Sequence, residues 1–211
     1  RLIITHRFLQ HMNDQPTDNN QSMEQPAVPE QKNATLRMVV DIVDTLLLAL
    51  FFYFAINAVS ARVRVQNVSM QPTLYEGEFL LVNKLAYKFG PPTTGDIVIF
   101  HSPTEPGEDF IKRVIGTPGD SVVVSEGKVF INGTRIDEPY LKDVPRYTGE
   151  WVVPENSIFV LGDNRNQSSD SHDWGCVSMG AVVGKAVLIY YPFNKATLLE
   201  HPDLVSASTA N

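Results

Sequence analysis

Two short segments of the sequence could together supply a nucleophile and its base. SMQPTL, at residues 69–74, places Ser69 just after a long apolar stretch, and FIKRVIGTPGD, at residues 110–120, places Lys112 within an otherwise apolar strand pattern. A serine hydroxyl is a poor nucleophile at neutral pH unless a base lies within hydrogen-bond reach, and an amine acts as that base only when burial keeps it neutral. Because side chains alternate along a strand, Lys112 can face the protein while Arg113 faces the other side. These residues predict a Ser–Lys dyad.

The segments that must position these two residues have the pattern of short β-strands. After Arg64, runs rich in Val, Ile, Phe, Leu and Tyr are bounded by Gly, Pro, Asn or Asp, which is typical of strands. The runs cover residues 79–83, 96–100, 110–115, 121–125, 128–131, 157–161 and 181–191. Glu126-Gly127 and Asn132-Gly133 tolerate positive φ and predict two successive hairpin turns. Since no long amphipathic helix follows Arg64, we predict a mainly β domain made of antiparallel sheets.

A membrane-length apolar stretch precedes the predicted β domain. Residues 39–59 are mostly apolar and, as a helix, would extend roughly 30 Å, enough to cross a hydrocarbon core. Asp41 and Asp44 are costly at a bilayer centre, but near the end of the span they can reach the headgroups. Residues 45–58 carry no formal charge, which favours one transmembrane helix over the alternative of an amphipathic surface helix.

Composition divides the chain into four parts. Gln, Asn, Pro and Asp dominate the first residues, so we predict a disordered tail over residues 1–36. The transmembrane anchor is predicted over residues 37–60, the β domain over 61–195 and a flexible C-terminal tail, with little to pack, over 196–211.

Charge and residue usage exclude several kinds of partner. The net charge of −7, without clustered Lys and Arg, argues against nucleic acid. No metal or other cofactor is predicted, because the five histidines show no paired ligand spacing. The single Cys176 cannot form a disulfide within the chain.

The order of the sequence blocks resembles that of bacterial type I signal peptidase, the membrane-bound protease that removes signal peptides from exported proteins. The resemblance extends from about residue 37 to residue 192. Its blocks are the apolar anchor, SMQPTL, GEFLLVNKLAY, GDIVIF, FIKRVIGTPGD and GDNRNQSSDSHDWG. The family fold that it implies is also mainly β.

This resemblance implies a location and a substrate. The protein is expected in the cell membrane as a single-pass type II protein, with a cytoplasmic N-terminus and an extracytoplasmic catalytic domain. Its partners would be the lipid bilayer, the signal peptides of exported preproteins and, by proximity, the protein translocation machinery. Cleavage is expected after small residues of the Ala-x-Ala type.

The resemblance also implies roles for individual residues. Ser69 is the expected nucleophile and Lys112 its general base, while the Ser168 hydroxyl would orient the lysine amine. The backbone N–H of Ser69 is one expected oxyanion donor. Many relatives take the second donor from a serine two positions before the nucleophile, where this chain has Asn67. The Asn67 amide could donate in its place or could instead bond within its own turn.

Charged residues of the last block are expected to support the site. Asp163, Arg165 and Asp170 match charged positions of the family, and Arg113 could pair with Asp163 to hold the lysine strand against the serine loop. His172 stands where an Arg usually partners the aspartate two positions before it, which leaves the partner of Asp170 open.

Two other functions fit parts of the sequence. One is a different Ser–Lys protease of related fold, such as a self-cleaving repressor, although no DNA-binding helix–turn–helix segment is evident. The other is a non-catalytic β-module tethered to the membrane.

Overall fold

The computed structural model describes residues 31–199 together with Pro202 and Leu204. The chain divides into two compact units, residues 1–47 and residues 48–211. Most of the predicted N-terminal tail lies outside the described residues. Its last part differs from the prediction, because helix α1 begins at Gln31 rather than near residue 37. The sequence contains neither Gly nor Pro from residue 30 to residue 71, so nothing local prevents the helix from starting early.

Helix α1 spans Gln31–Val59, and its segment Ala34–Val59 is long and apolar enough to cross a membrane. Its large apolar side chains are exposed in the protein. Polar side chains of the segment bond to carbonyl groups one turn earlier, as in the 2.7 Å bond from Thr45 Oγ1 to Asp41 O and the 3.0 Å bond from Asn57 Nδ2 to Tyr53 O. Such local bonds satisfy hydroxyl and amide groups where water is absent.

Antiparallel strands make up most of the rest of the described fold, with one short α-helix, α2, at Ser171–Trp174 and three single-turn 3₁₀ helices at Ala86–Lys88, Met179–Ala181 and Phe193–Lys195. The strands are β1 (Ser60–Arg64), β2 (Phe79–Asn83), β3 (Ile97–His101), β4 (Asp109–Gly116), β5 (Ser121–Ser125), β6 (Lys128–Ile131), β7 (Thr134–Arg135), β8 (Gly149–Val152), β9 (Ser157–Leu161), β10 (Val177–Ser178), β11 (Val182–Tyr191) and β12 (Thr197–Leu198). The predicted fold class is confirmed.

Two sheets contain these strands. The larger has the order β1-β2-β11-β3-β4-β9-β10, with β12 added beside β11, and the smaller has the order β7-β6-β5-β8. The alternating pattern of β2 buries Leu80 and Val82, whereas the central strand β3 is buried on both faces from Ile97 to Phe100. The strand that carries Lys112, β4, therefore lies against a fully buried neighbour.

Strand and turn predictions agree closely with these bounds where the local signal is strong. Four predicted runs coincide with β2, β5, β6 and β9, and both hairpin turns have positive φ, with 51° at Glu126 and 49° at Asn132. Strand β1 was not predicted, because SARVR carries two arginines and little apolar pattern. It forms through its pairing with β2.

The described end of the chain contradicts the prediction of a flexible tail. Thr197–Leu198 forms β12 beside β11, and the side chains of Leu199 and Leu204 are buried. Leu204 belongs to an apolar cluster with Ile115, and its carbonyl accepts a 3.3 Å bond from Asp137 N–H. The leucines were missed because polar residues surround them in the sequence.

Substitution of Leu204 by Ala should destabilise the protein. The side chain is 1% exposed, and removing a buried leucine typically lowers the free energy of unfolding by about 2–5 kcal/mol. Leu198→Ala, at a residue 73% exposed, is the control and should change it by less than about 0.5 kcal/mol. Urea unfolding of the detergent-solubilised chain, followed by tryptophan fluorescence, measures both. Equal values for the two variants would contradict docking of the tail.

Candidate active site

Ser69 and Lys112 meet in the protein. Lys112 Nζ donates a 2.8 Å hydrogen bond to Ser69 Oγ, and the two residues are 3% and 6% exposed. Lys112 lies in β4 opposite Val98 of β3, so its backbone is fixed by the sheet. Ser69 lies in a turn that is anchored by the buried side chain of Met70. A rigid strand and a packed turn therefore hold the two groups at reaction distance.

Burial changes the acidity of the lysine. Loss of solvent lowers the pKa of Lys112 to about 8, and the charges of Asp170 and Asp163 oppose this shift. At pH 7.5 a lysine with that pKa is neutral in about a quarter of the molecules, compared with well under one in a hundred for a solvated lysine. The site therefore supplies the uncharged amine that a general base requires.

Arg113 lies on the opposite face of β4 and binds Asp163. Its Nε and Nη2 donate to the two carboxylate oxygens at 2.9 and 2.7 Å, and its Nη1 donates to Gly95 O at 2.9 Å. The guanidinium also lies 3.9 Å from the centre of the Tyr140 ring. This buried pair joins the lysine strand to the start of the segment 162–170, which we call the catalytic loop.

The catalytic loop also binds the turn at residues 68–71, which carries Ser69 and which we call the nucleophile turn. Asn164 donates from its backbone N–H to Ser69 O at 3.0 Å and from Nδ2 to Val68 O at 3.2 Å. A Cβ at Gly162 would lie 2.5 Å from Ser69 O, so only glycine allows this close approach. The sequence did not predict Asn164 as a site residue, although Asn164 lies within the block GDNRNQSSDSHDWG.

Ser168 lies at the site but does not bond to the lysine. Its hydroxyl is buried and has no hydrogen-bond partner among the described residues. A Cβ added at Gly162 would clash with Ser168 Oγ and would lie 2.5 Å from Ser69 O, so the Ser168 side chain lies close to the backbone of the nucleophile. An unpaired buried hydroxyl costs free energy. Its role in orienting Lys112 stays a prediction.

Asn67 bonds within its own turn. Its Oδ1 accepts from Ser69 Oγ at 2.9 Å and from Ser69 N–H at 3.3 Å. Of the two roles considered for Asn67, the structure shows the hydrogen bonds within its own turn. These bonds also place the Asn67 amide beside the hydroxyl and the backbone N–H of Ser69.

Asp170 binds His172. Asp170 is fully buried, accepts from Gly162 N–H at 2.9 Å and lies 2.6 Å from His172 Nδ1. The imidazole stacks on the Tyr147 ring, with centres 3.9 Å apart and planes 8° apart, and its Nε2 lies 3.1 Å from Asp173. His172 is therefore the partner of Asp170 that the sequence left open.

Arg165 pairs with a residue that the sequence did not indicate. Its Nη1 donates to Glu138 Oε2 at 2.9 Å, Nη2 bonds to the other oxygen, and Nε donates to Gly162 O at 3.1 Å. Glu138 lies far away in the sequence, with no local motif around it. The pair fastens the catalytic loop to the segment that follows β7.

A groove of about 540 Å³ lies beside the dyad between two strand edges. Residues 62–67 line one side, residues 107–111 line the other, and Met70 also contributes. Strand β1 ends the larger sheet, and β4 pairs with β9 only from Arg113 onward. Within the described residues, both edges therefore have backbone groups free to bind an extended peptide.

Comparison with known proteins places the chain in a family. The family model for signal peptidase, peptidase S26, matches residues 35–191. A signal peptidase I from Leptolyngbya laminosa is 40% identical over 188 residues, which cover 84% of this chain and 91% of that protein. One from Bacillus caldolyticus is 40% identical over 146 residues, which cover 62% and 79%. A solved signal peptidase I from Enterococcus faecalis V583 is 33% identical and covers 44% of this chain and 95% of that chain, with a TM-score of 0.42.

The matched residues include most of helix α1, the turn that carries Ser69, the strand that carries Lys112 and the segment 162–170. Members of this family are serine endopeptidases that remove signal peptides, which sets aside a non-catalytic module. The chain belongs to the signal peptidase family, peptidase S26.

Proposed function

We propose that the protein cleaves signal peptides from exported preproteins with Ser69 as the nucleophile and neutral Lys112 as the general base. The observation that carries the proposal is the 2.8 Å contact between Lys112 Nζ and Ser69 Oγ in a buried setting. Burial lowers the pKa of Lys112 to about 8, which supports its service as a base near neutral pH.

The reaction follows from this contact. In the neutral state the hydroxyl of Ser69 donates to the lone pair of Lys112 Nζ, and the proton moves to the amine as Oγ attacks the carbonyl carbon. The resulting ammonium then gives its proton to the departing amine when the peptide bond breaks. An acyl-enzyme remains on Ser69. Lys112, neutral again, removes a proton from the water that hydrolyses the ester.

Charge on the tetrahedral intermediate needs donors already in place. The backbone N–H of Ser69 is directed to Asn67 Oδ1 over a long 3.3 Å bond, which a substrate oxygen can replace. Rotation of the Asn67 amide by about half a turn would exchange Oδ1 for Nδ2, a donor. We therefore infer that Asn67 supplies the second oxyanion donor when substrate binds.

The groove beside the dyad accounts for the substrate preference. An extended peptide can bond to the free edges of β1 and β4 as an added strand. Val65, Met70 and Ile111 contribute apolar surface to a groove whose lining is otherwise mostly polar and charged. We infer that this apolar part takes the small side chains of Ala-x-Ala sequences.

The helix α1 would serve as the membrane anchor. Its segment Ala34–Val59 can cross a bilayer, with Asp41 and Asp44 toward its N-terminal end. We propose a cytoplasmic N-terminus and a catalytic domain on the outer face, where signal peptides leave the translocation machinery.

Ser69→Ala and Lys112→Ala should each reduce processing of a purified precursor by at least about 10²–10⁴-fold, the usual contribution of such groups. Lys112→Arg should be equally inactive, because a guanidinium does not deprotonate near neutral pH. For the unaltered enzyme, kcat/KM should rise with pH up to about pH 8 and level off above it, since the neutral amine is the active form.

Lys128→Ala, at an exposed strand lysine, is the matched control and should process normally. Appreciable turnover by Lys112→Arg would refute the assignment of the base.

Ser168→Ala should lower kcat with little change in KM. The buried hydroxyl has no hydrogen-bond partner among the residues that the structure describes, so its removal should leave the melting temperature equal or higher. The neighbouring Ser169→Ala, at an exposed position, is the control for both measurements. A Ser168→Ala enzyme with full kcat would exclude a role in orienting the lysine.

His172 makes part of the stability depend on pH. Its hydrogen bond to Asp170 raises the pKa of His172 above its ordinary value, although partial burial opposes the shift. Because the folded-state pKa is raised, the stabilisation is complete below the unfolded value of about 6.5 and is lost as the pH rises through the folded value. His172→Arg keeps its charge, so its melting temperature should not fall across this window.

Circular dichroism melts between about pH 5.5 and 8.5 would measure the difference. His101→Arg, the same substitution at the exposed pair with Asp109, should retain the pH response of the unaltered protein. An unchanged response in His172→Arg would show that the pair with Asp170 is not its source.

A further inference from the structure

A second cleft lies next to the residues that follow Ser69. It encloses about 410 Å³, and its lining includes Gln71, Asn164, Lys142 and Arg146. The cleft and the substrate groove share no lining residue, and their linings meet at the consecutive residues Met70 and Gln71, just after Ser69.

The cleft has a fixed wall. Arg146 N–H donates to Asn166 Oδ1 at 2.9 Å, and Asn166 Nδ2 donates to Val144 O at 3.0 Å. On the same loop, Asn164 bonds to Ser69 O at 3.0 Å. Hydrogen bonds thus join the segment 142–146 to the catalytic loop at Asn166, and join the same loop to Ser69 at Asn164.

The cleft is polar and carries available positive charge. Lys142 and Arg146 are exposed, and neither forms an ion pair with another described residue. Of the two carboxylates in the lining, Asp163 is already bound by Arg113, which leaves Asp143 as the counter-charge.

We propose that this cleft binds the first residues of the departing chain, those just after the cut, and that Lys142 and Arg146 favour acidic side chains there. The inference rests on the proposed function, because it needs a peptide that runs past Ser69. A peptide seated in the groove that continues past Ser69 reaches Gln71 and Asn164, which line this cleft. The cations are solvent-exposed, so the preference should weaken as salt increases.

The test uses the full-length enzyme in detergent micelles and a set of precursor peptides with one signal sequence. A pair of Asp, Ser or Lys residues is placed within the first few positions after the cut, and kcat/KM is measured for each peptide. The Asp peptide should be cleaved about three- to tenfold faster than the Lys peptide at low salt, the size expected for two exposed ion pairs. The difference should shrink in 0.5 M salt.

The double variant Lys142→Glu/Arg146→Glu should reverse this order, so that the Lys peptide is cleaved faster than the Asp peptide. Lys88→Glu/Lys128→Glu makes the same change in net charge at exposed sites outside the cleft and should keep the preference for Asp. If the charge reversal impairs folding, Lys142→Gln/Arg146→Gln should abolish the preference without reversing it.

An unchanged preference in the cleft variants would overturn the inference. An equal loss in both double-Glu variants would do so as well, since it would assign the effect to overall charge. Failure of the unaltered enzyme to cleave any peptide, or cleavage by Ser69→Ala, would instead overturn the proposed function.

Discussion

The buried amine of Lys112 is the constraint on which the site depends. It lies near two carboxylates, Asp163 and Asp170, whose charges favour the ammonium form, yet burial lowers its pKa to about 8. Each carboxylate has a partner of its own, because Asp163 binds Arg113 and Asp170 binds His172. Such pairing weakens the field that favours the ammonium form. Burial, opposed by the two carboxylates, is therefore what keeps the amine partly neutral.

Buried ion pairs also set the geometry. Arg113 and Arg165 are almost fully buried, and a buried cation is tolerated only when its donors are satisfied. Their partners, Asp163 and Glu138, lie on separate segments, so satisfying the charges fixes the lysine strand, the catalytic loop and the segment after β7 together. Asn164 adds the nucleophile turn to this assembly. A shift of any one segment would leave a charge unpaired, which opposes drift of Ser69 from Lys112.

The parts of this arrangement that are encoded locally could be predicted from the sequence. Strong β patterns and Glu-Gly or Asn-Gly turns gave β2, β5, β6 and β9 with their bounds, and the motif blocks indicated Ser69 and Lys112. Tertiary pairings could not be derived in this way. Glu138 lies in DEPY without any chemical signature, and Leu204 is buried although its neighbours are polar. The orientation of the Asn67 amide depends on a hydrogen bond that its residue type allows but does not require.

Because His172 is the titratable partner of Asp170, two titrations are coupled. As the pH rises, His172 loses its charge, Asp170 is then less neutralised, and its negative charge favours the ammonium form of Lys112 more strongly. Deprotonation of the histidine therefore opposes deprotonation of the lysine. A permanently charged arginine would not produce this effect. The rising limb of the pH–rate profile therefore reports His172 and Lys112 together, and the profile of His172→Arg reports the lysine alone. If the two titrations are coupled, the limb of His172→Arg will be steeper and will lie at lower pH. An unchanged limb would exclude the coupling.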